Sequence, residues 1–425
     1  MMNLSGAASA AHAAQDLIDR GDPGGALALL DQNARDDDAD AFAARAGAHL
    51  ALHDPEAALA AARAALRLDG AHPAAAFNEG RALMALGAPE VAAISFRAAE
   101  RAFPQVAEIP ARLGEAAYLA GDDVVAEAAL RRALAQAPGH PVAFALLAEL
   151  LFQKADQGPL EAFVQDAVGR GGAAAFRAAS VLSRLDRRDE ALAALANAEA
   201  ANGPSAATDM LAAELLRLDG DFPRALLRAR AAAARAPGDR AAHAPLARLL
   251  LTSGAAAEAE AIARRILAVA PFDQLWLALL WTSLAAQRSP EADDLLDLDR
   301  DVAAIELTPP AGYPSIAAFN AALAADLAPL HRAAGPPLGQ SVHGGSQTRR
   351  PLQSVASPAI AAFFREARGA AERFAAALPE NPGHPFHRGR QAPQRVTGAW
   401  SVRLAPGGSH ASHVHPGGWI SSAYY

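Results

Sequence analysis

Ala92, Phe96 and Ala99 lie four and three residues apart, the spacing of one buried helix face, and Glu90, Arg97 and Arg101 fall between and around them. Ala126, Leu130 and Ala133 repeat the arrangement one unit later, after Leu113 on the preceding helix. Turn-forming residues punctuate the pattern in phase. They stand at Gly21, His53, Gly87, Gly121, Asp186, Gly220 and Gly254, at steps of about 34 residues with one doubled interval. Helix-ending positions follow at Gly70, Pro104, Pro138, Gly171, Pro204, Pro237 and Pro271. Each unit therefore predicts two helices joined by a tight turn. Small residues such as Gly80 and Gly114 stand where the two helices must approach closely.

This order of small residues, turns and apolar positions resembles the tetratricopeptide repeat (TPR). About eight units fit between Ala7 and roughly Asp273, with those at 141–171 and 172–205 degenerate, and Leu275 to Ile305 is expected to add a capping helical pair. An irregular alanine-rich helical domain is the alternative, and phased glycines and prolines argue against it. The resemblance implies a right-handed superhelical solenoid whose concave groove holds a protein or peptide. Asn78, Arg81, Arg112 and Glu115 are expected on the first-helix faces, where solvated polar residues are also ordinary.

The pattern changes after residue 307. Thr308–Pro314 is a Pro/Gly break, and Ser315–His331 has helical spacing with Ser315 placed as N-cap. The next stretch lacks helical periodicity and reads as loop plus short strand. Pro358–Leu378 predicts an amphipathic helix with Ile360, Phe363, Phe364 and Phe374 toward its buried side, bracing a sheet. Two regions are expected: 1–307 helical repeats, and 308–425 an α+β region.

Composition narrows the function. Hydrophobic residues make up 52% and charged residues 20%, ordinary for a folded chain, while aromatics at 5% favour alanine-packed helices. A formal net charge of -8 offers no basic surface for nucleic acid or an anionic membrane. Lys154 is the sole lysine, and there is no cysteine, which excludes disulfides, thiolate metal sites and thiol catalysis. The N-terminus has neither a cationic nor a strongly apolar leader region, so a cytoplasmic location is expected. The most apolar run, 275–286, is too short to span a bilayer and predicts a buried helix.

Chemistry gathers in 400–425, WSVRLAPGGSHASHVHPGGWISSAYY. In an extended chain His413 and His415 point the same way and suit one metal ion, Pro416–Gly418 turn the chain, and WISSAYY predicts a returning strand. Histidines in a Gly/Ser-rich stretch are also commonly solvated loop residues. The segment HVHPGGWISSAYY resembles the first half of the metal site of 2-oxoglutarate/Fe(II)-dependent dioxygenases. QSVHGGSQT (340–348), HPF (384–386) and WSVRL (400–404) resemble a bacterial subgroup of them that often follows tetratricopeptide repeats. The resemblance implies a double-stranded β-helix, or jelly roll, that binds Fe(II) and 2-oxoglutarate and hydroxylates a substrate recruited by the repeats.

It implies His413 and His415 as metal ligands, the latter where a carboxylate usually stands. It implies Tyr425 as a contact for the cofactor, and Gln340, Gln347 and Thr348 as supporting contacts. Trp400 and Trp419 are expected to pack. The distal His and the 2-oxoglutarate-binding Arg of such enzymes have no counterpart before the sequence stops, so a truncated, inactive domain is expected. The competing expectation is a non-catalytic interaction scaffold. A transferase fused to the repeats is disfavoured, since no glycine-rich phosphate loop is present.

Overall fold

A computed structural model describes residues 4–33, 35, 37–331, 337–392, 394–411 and 413–425. The chain divides into two compact units, Met1–Leu160 and Glu161–Tyr425.

In the first unit lie α1 (Leu4–Asp19), α2 (Pro23–Asn33), α3 (Ala39–Ala51), α4 (Pro55–Leu68), α5 (Pro73–Ala85), α6 (Pro89–Ala102), α7 (Glu108–Ala120), α8 (Asp123–Gln136) and α9 (Pro141–Phe152). Consecutive helices pair through tight turns, and first helices also neighbour first helices, as in α1 with α3, α3 with α5, and α7 with α9. The close approach predicted at Gly80 is real: a Cβ there would sit 2.6 Å from the Phe96 ring, and one at Gly114 would sit 2.6 Å from Leu130. Ala92, Phe96, Ala99, Ala126, Leu130 and Ala133 are all fully buried. Small and large residues thus interlock at each pair.

After α10 (Gly158–Arg170), the second unit continues the pairing with α11 (Gly172–Arg184) and α12 (Arg188–Asn202), α13 (Ala206–Leu218) and α14 (Phe222–Arg235), and α15 (Arg240–Thr252) and α16 (Ala256–Leu267). The degenerate unit at 172–205 is therefore a helical pair like the rest, α11 packed on α12. The turn slot is left-handed in every repeat named from the sequence: Gly21, Gly87, Gly121, Gly220 and Gly254 have φ of 75° to 83°, while His53 and Asp186 adopt φ of 60° and 59° in the same place. Arg288, at φ 55°, takes the next position in phase. The expected capping pair is α17 (Gln274–Ala286), which buries Trp276, Leu277, Leu280 and Leu284, followed by the short α18 (Glu291–Leu295) and α19 (Leu298–Asp301).

Within the second unit Asp209 is buried at 1% exposure and receives Arg228 at 2.7 Å and Arg235 at 2.8 Å, tying α13 to α14. Beyond the break, α20 (Ile316–Leu327) starts at the Ser315 cap as expected, and α21 (Pro358–Ala377) is capped by Ser357. Phe319, Leu323 and Ile360 form a small core between them, with Phe363 and Phe364 packed at its edge. α21 therefore packs on α20, and the sheet-bracing expected of it is replaced by helix-on-helix contact.

The described residues form one two-stranded antiparallel sheet, β1 (Val342–Gln347) with β2 (Val402–His410). Gly345 pairs with Leu404 and His343 with Ser409, so Ala405–Gly408 bulge out of the ladder. Glycines permit this crowding: a Cβ on Gly408 would lie 2.3 Å from the Gly344 carbonyl oxygen. The returning strand expected at 419–425 is not formed: the segment makes side-chain contacts but no backbone ladder with the described residues. Of the incomplete jelly roll expected from the resemblance, the described residues form this two-stranded sheet. No described helix is long and apolar enough to cross a membrane.

Candidate functional site

Two surfaces collect polar chemistry. In the first unit, the first helices α1, α3 and α5 line a cavity of about 290 Å³, to which α1 contributes His12 and Gln15, α3 Asp40 and Ala43, and α5 His72 and Asn78. Asn78 donates from Nδ2 to the Ala43 carbonyl at 3.0 Å, bridging neighbouring repeats. His72 is the N-cap of α5: its Nδ1 accepts from the Ala75 amide, and its Nε2–H donates to Asp40 at 2.9 Å. His140 repeats the device two units later, accepting from Ala143 and donating to Glu108 at 3.0 Å. Neither histidine stood out in the sequence, yet the 68-residue interval between two His-Pro pairs, two repeat lengths, was the available signal.

Of the other residues expected on this face, Arg112 is held by Glu108 at 2.7 Å and Glu115 at 2.8 Å, so both carboxylates have structural work. Burial holds the Glu108 carboxyl up, but hydrogen bonds from Arg112 and His140 outweigh it and leave the group below its ordinary range. Arg81 lies over the Phe77 ring at 6.0 Å, and burial, with the Arg112 charge nearby, lowers its basicity.

The second surface is the histidine-rich segment. β2 ends at His410, so His413 and His415 lie beyond the ladder, contrary to the expected strand placement. Their side chains still converge, with Nε2 atoms 3.1 Å apart. His413 Nδ1–H donates to the Ala411 carbonyl at 2.8 Å, which leaves its Nε2 with the lone pair when the ring is neutral. Trp400 is half exposed, and its ring meets that of His415 at 5.4 Å, so it is less a core residue than expected. Trp419 does pack, donating from Nε1 to the Phe386 carbonyl at 3.0 Å. The expected turn is present, closed by the Gly418 amide on the His415 carbonyl.

The remaining expected contacts lie apart from the imidazoles. Gln340 is exposed, Gln347 is half-buried in β1 opposite Val402, and Thr348 is buried with its hydroxyl accepting from the Ser401 amide. Tyr425 is fully exposed, whereas Tyr424 bonds Asn320 at 2.6 Å and packs on Phe363. Among the described residues, no hydrogen bond or ring contact joins Gln340, Gln347, Thr348 or Tyr425 to His413 or His415. Nor does any group of three His, Cys, Asp or Glu side chains come together to hold a metal ion. Among the described residues the two imidazoles are fewer than the three ligands that a facial iron site uses.

Two histidines that the sequence reading did not single out for these roles organise this region. His331 bonds the Ser346 hydroxyl of β1 at 2.9 Å and the hydroxyl of Ser401, the residue before β2, at 3.0 Å, and burial lowers its basicity, aided by the Arg403 charge. His387 is buried against Asp301 at 2.9 Å and stacks on His384 with centroids 3.8 Å apart. Burial raises the Asp301 carboxyl, but hydrogen bonds from Arg300 and His387 outweigh it and bring it to about 2. Arg388 lies over Phe272 at 3.3 Å, beside this anchor.

Residues 216–280 match the tetratricopeptide-repeat family. No curated protein matches the chain. Among solved structures, yeast Tom70 is similar at 16% identity and a TM-score of 0.50, over 65% of this chain and 61% of that one. MamA from Desulfovibrio magneticus RS-1 is similar at 20% identity and a TM-score of 0.34, over 38% of this chain and 92% of that one. PilF of Pseudomonas aeruginosa stands at 16% identity and a TM-score of 0.37, over 56% of this chain and 95% of that one. The left-handed turn slots and the glycine-mediated helix contacts give the helical part a repeating paired-helix solenoid fold, and the family match assigns a tetratricopeptide repeat to residues 216–280 of it.

Proposed function

We propose that the repeats act as an interaction scaffold that holds an extended segment of a partner protein across the faces of their first helices. The observation that carries this reading is the cavity across α1, α3 and α5, which lies on neighbouring first helices where the repeat stacking leaves a lined surface. Its polar groups are braced by contacts within the fold, so the surface is pre-organised for binding. The test is an array of short peptides probed with the whole chain. Ala74→Trp, at an exposed position of α5 that lines the cavity, is expected to weaken captured peptides at least about tenfold. Val91→Trp, exposed on the second helix α6, is expected to leave them unchanged. Equal effects of the two substitutions would contradict the reading.

A second reading is favoured by one observation, the 3.1 Å approach of the His413 and His415 Nε2 atoms. Two nitrogens about 2.1 Å from one ion and at right angles to each other lie about 3 Å apart. The same separation suits a hydrogen bond between the rings. In this reading the C-terminal region belongs to an Fe(II)- and 2-oxoglutarate-dependent oxygenase whose substrate the repeats recruit, with His413 and His415 as ligands and Tyr425, Gln340, Gln347 and Thr348 nearer the cofactor than they lie here. Anaerobic Mn(II) titration tests it: His413→Ala and His415→Ala are each expected to abolish binding, and unchanged affinity in both would remove the metal claim.

A further inference from the structure

We infer that the cavity across α1, α3 and α5 takes a lysine or arginine side chain, so that the N-terminal repeats select a basic segment of their partner. This rests on the reading that the repeats hold a peptide.

The argument begins with the shape and donor count of the cavity. At about 290 Å³ it lies at the small end of ligand sites, a size for one long side chain rather than a whole small molecule. Ala43 and Ala44 give it an apolar wall of buried methyl groups, which suits the methylene stem of a lysine or arginine.

The polar groups at its rim then decide the sign of the tip. Asp40 accepts from His72 with Oδ1 and keeps Oδ2 for another donor, on a side chain 66% exposed. Asn78 spends one donor on the Ala43 carbonyl, and Gln15 spends one on Asp19 at 2.9 Å, so each amide keeps its oxygen as an acceptor beside the Asp40 carboxylate. A charged donor meeting a carboxylate and two amide oxygens forms the stronger, charge-assisted kind of hydrogen bond. An acidic side chain would be repelled by Asp40, and a purely apolar one would leave its carboxylate unmatched.

Charge on a longer scale agrees. Residues 1–160 hold 21 Asp and Glu against 12 Lys and Arg, a net charge of -9, whereas residues 161–425 hold 25 against 26, a net charge of +1. The acidic excess of the protein is therefore confined to the unit that contains the cavity. A basic segment is steered toward this unit before it finds the site.

The experiment uses the full chain and three labelled peptides of equal length: alternating Arg and Ala, alternating Glu and Ala, and a neutral Ser/Ala sequence. Fluorescence anisotropy is expected to show binding of the basic peptide alone, about tenfold weaker in Asp40→Asn, and weakened further by salt above about 0.15 M. Asp40→Asn keeps an oxygen for His72 and leaves the α3 cap, Asp38, untouched. Glu56→Gln, exposed at the start of α4, removes the same charge away from the cavity and is expected to bind like the native chain. Equal losses in the two variants, or an unchanged Asp40→Asn, would overturn the assigned site. Binding of the neutral or acidic peptide with rejection of the basic one would overturn the inference and leave the scaffold reading standing. Rejection of all three, alongside an array on which no peptide binds, would remove both.

Discussion

Gly80 and Gly114 show how one missing methyl group sets the distance between two helices. Each faces a large buried side chain of the second helix at a separation that no Cβ tolerates. Gly80→Ala is expected to destabilise the protein by about 1–3 kcal/mol, and Phe96→Leu in the same chain is expected to recover part of that loss, giving a negative coupling in a denaturation cycle. Additive losses would mean that the ring is not what the new methyl meets. Asp209 is the polar counterpart, a buried carboxylate closing α13 on α14 through two arginines. Because those arginines reach solvent, Asp209→Ala is expected to cost about 2–3 kcal/mol, below the range for a wholly buried pair. A change under about 0.5 kcal/mol in chemical denaturation would contradict the clamp.

At the scale of elements, the turn between paired helices was legible because glycine marks a left-handed residue. Gly87→Ala is expected to cost about 1–2 kcal/mol, measurable as a lowered midpoint of thermal unfolding. The same logic hid Arg288, since a search for glycine passes over an arginine that backbone hydrogen bonds hold in the same conformation. The β1–β2 pair depends on His331, which no local pattern announces, because its partners Ser346 and Ser401 are distant in sequence.

The basicity of His331 is lowered in the fold, so its neutral form is the one built in. Its contribution is therefore present in full above the unfolded value of about 6.5, and is lost as pH falls below it, where the unfolded chain binds the proton more readily. His384, lowered mainly by burial, acts in the same direction. Asp301 is depressed to about 2, so its contribution holds above the ordinary carboxylate range and fades only as pH falls toward 2. The protection of amides in β1 and β2, corrected for the intrinsic pH dependence of exchange, is expected to fall between pH 7 and about 5.5 in the native chain, and less so in His331→Gln. An identical pH response in both chains would exclude His331 as the titrating group.

For the whole molecule, the repeats could be read from the sequence because each buries its face against its neighbour and so repeats the same demands every 34 residues or so. The histidine segment could be read only in part. The alternation in His-Val-His does bring two imidazoles together, but strand limits depend on a ladder partner, which local sequence does not name. Tyr424 rather than Tyr425 found an internal partner for a similar reason, since Asn320 lies 104 residues away. The cavity across the first helices was equally hidden, because its walls come from three repeats, though Asn78 was correctly expected on that face.

The most direct measurement is an amide-exchange footprint of the full chain with its tightest array peptide bound. The account predicts slower exchange in the first helices α1, α3 and α5, with the second helices α4 and α6 unchanged. Protection confined to α4 and α6, or to the segment around His413 and His415, would contradict it.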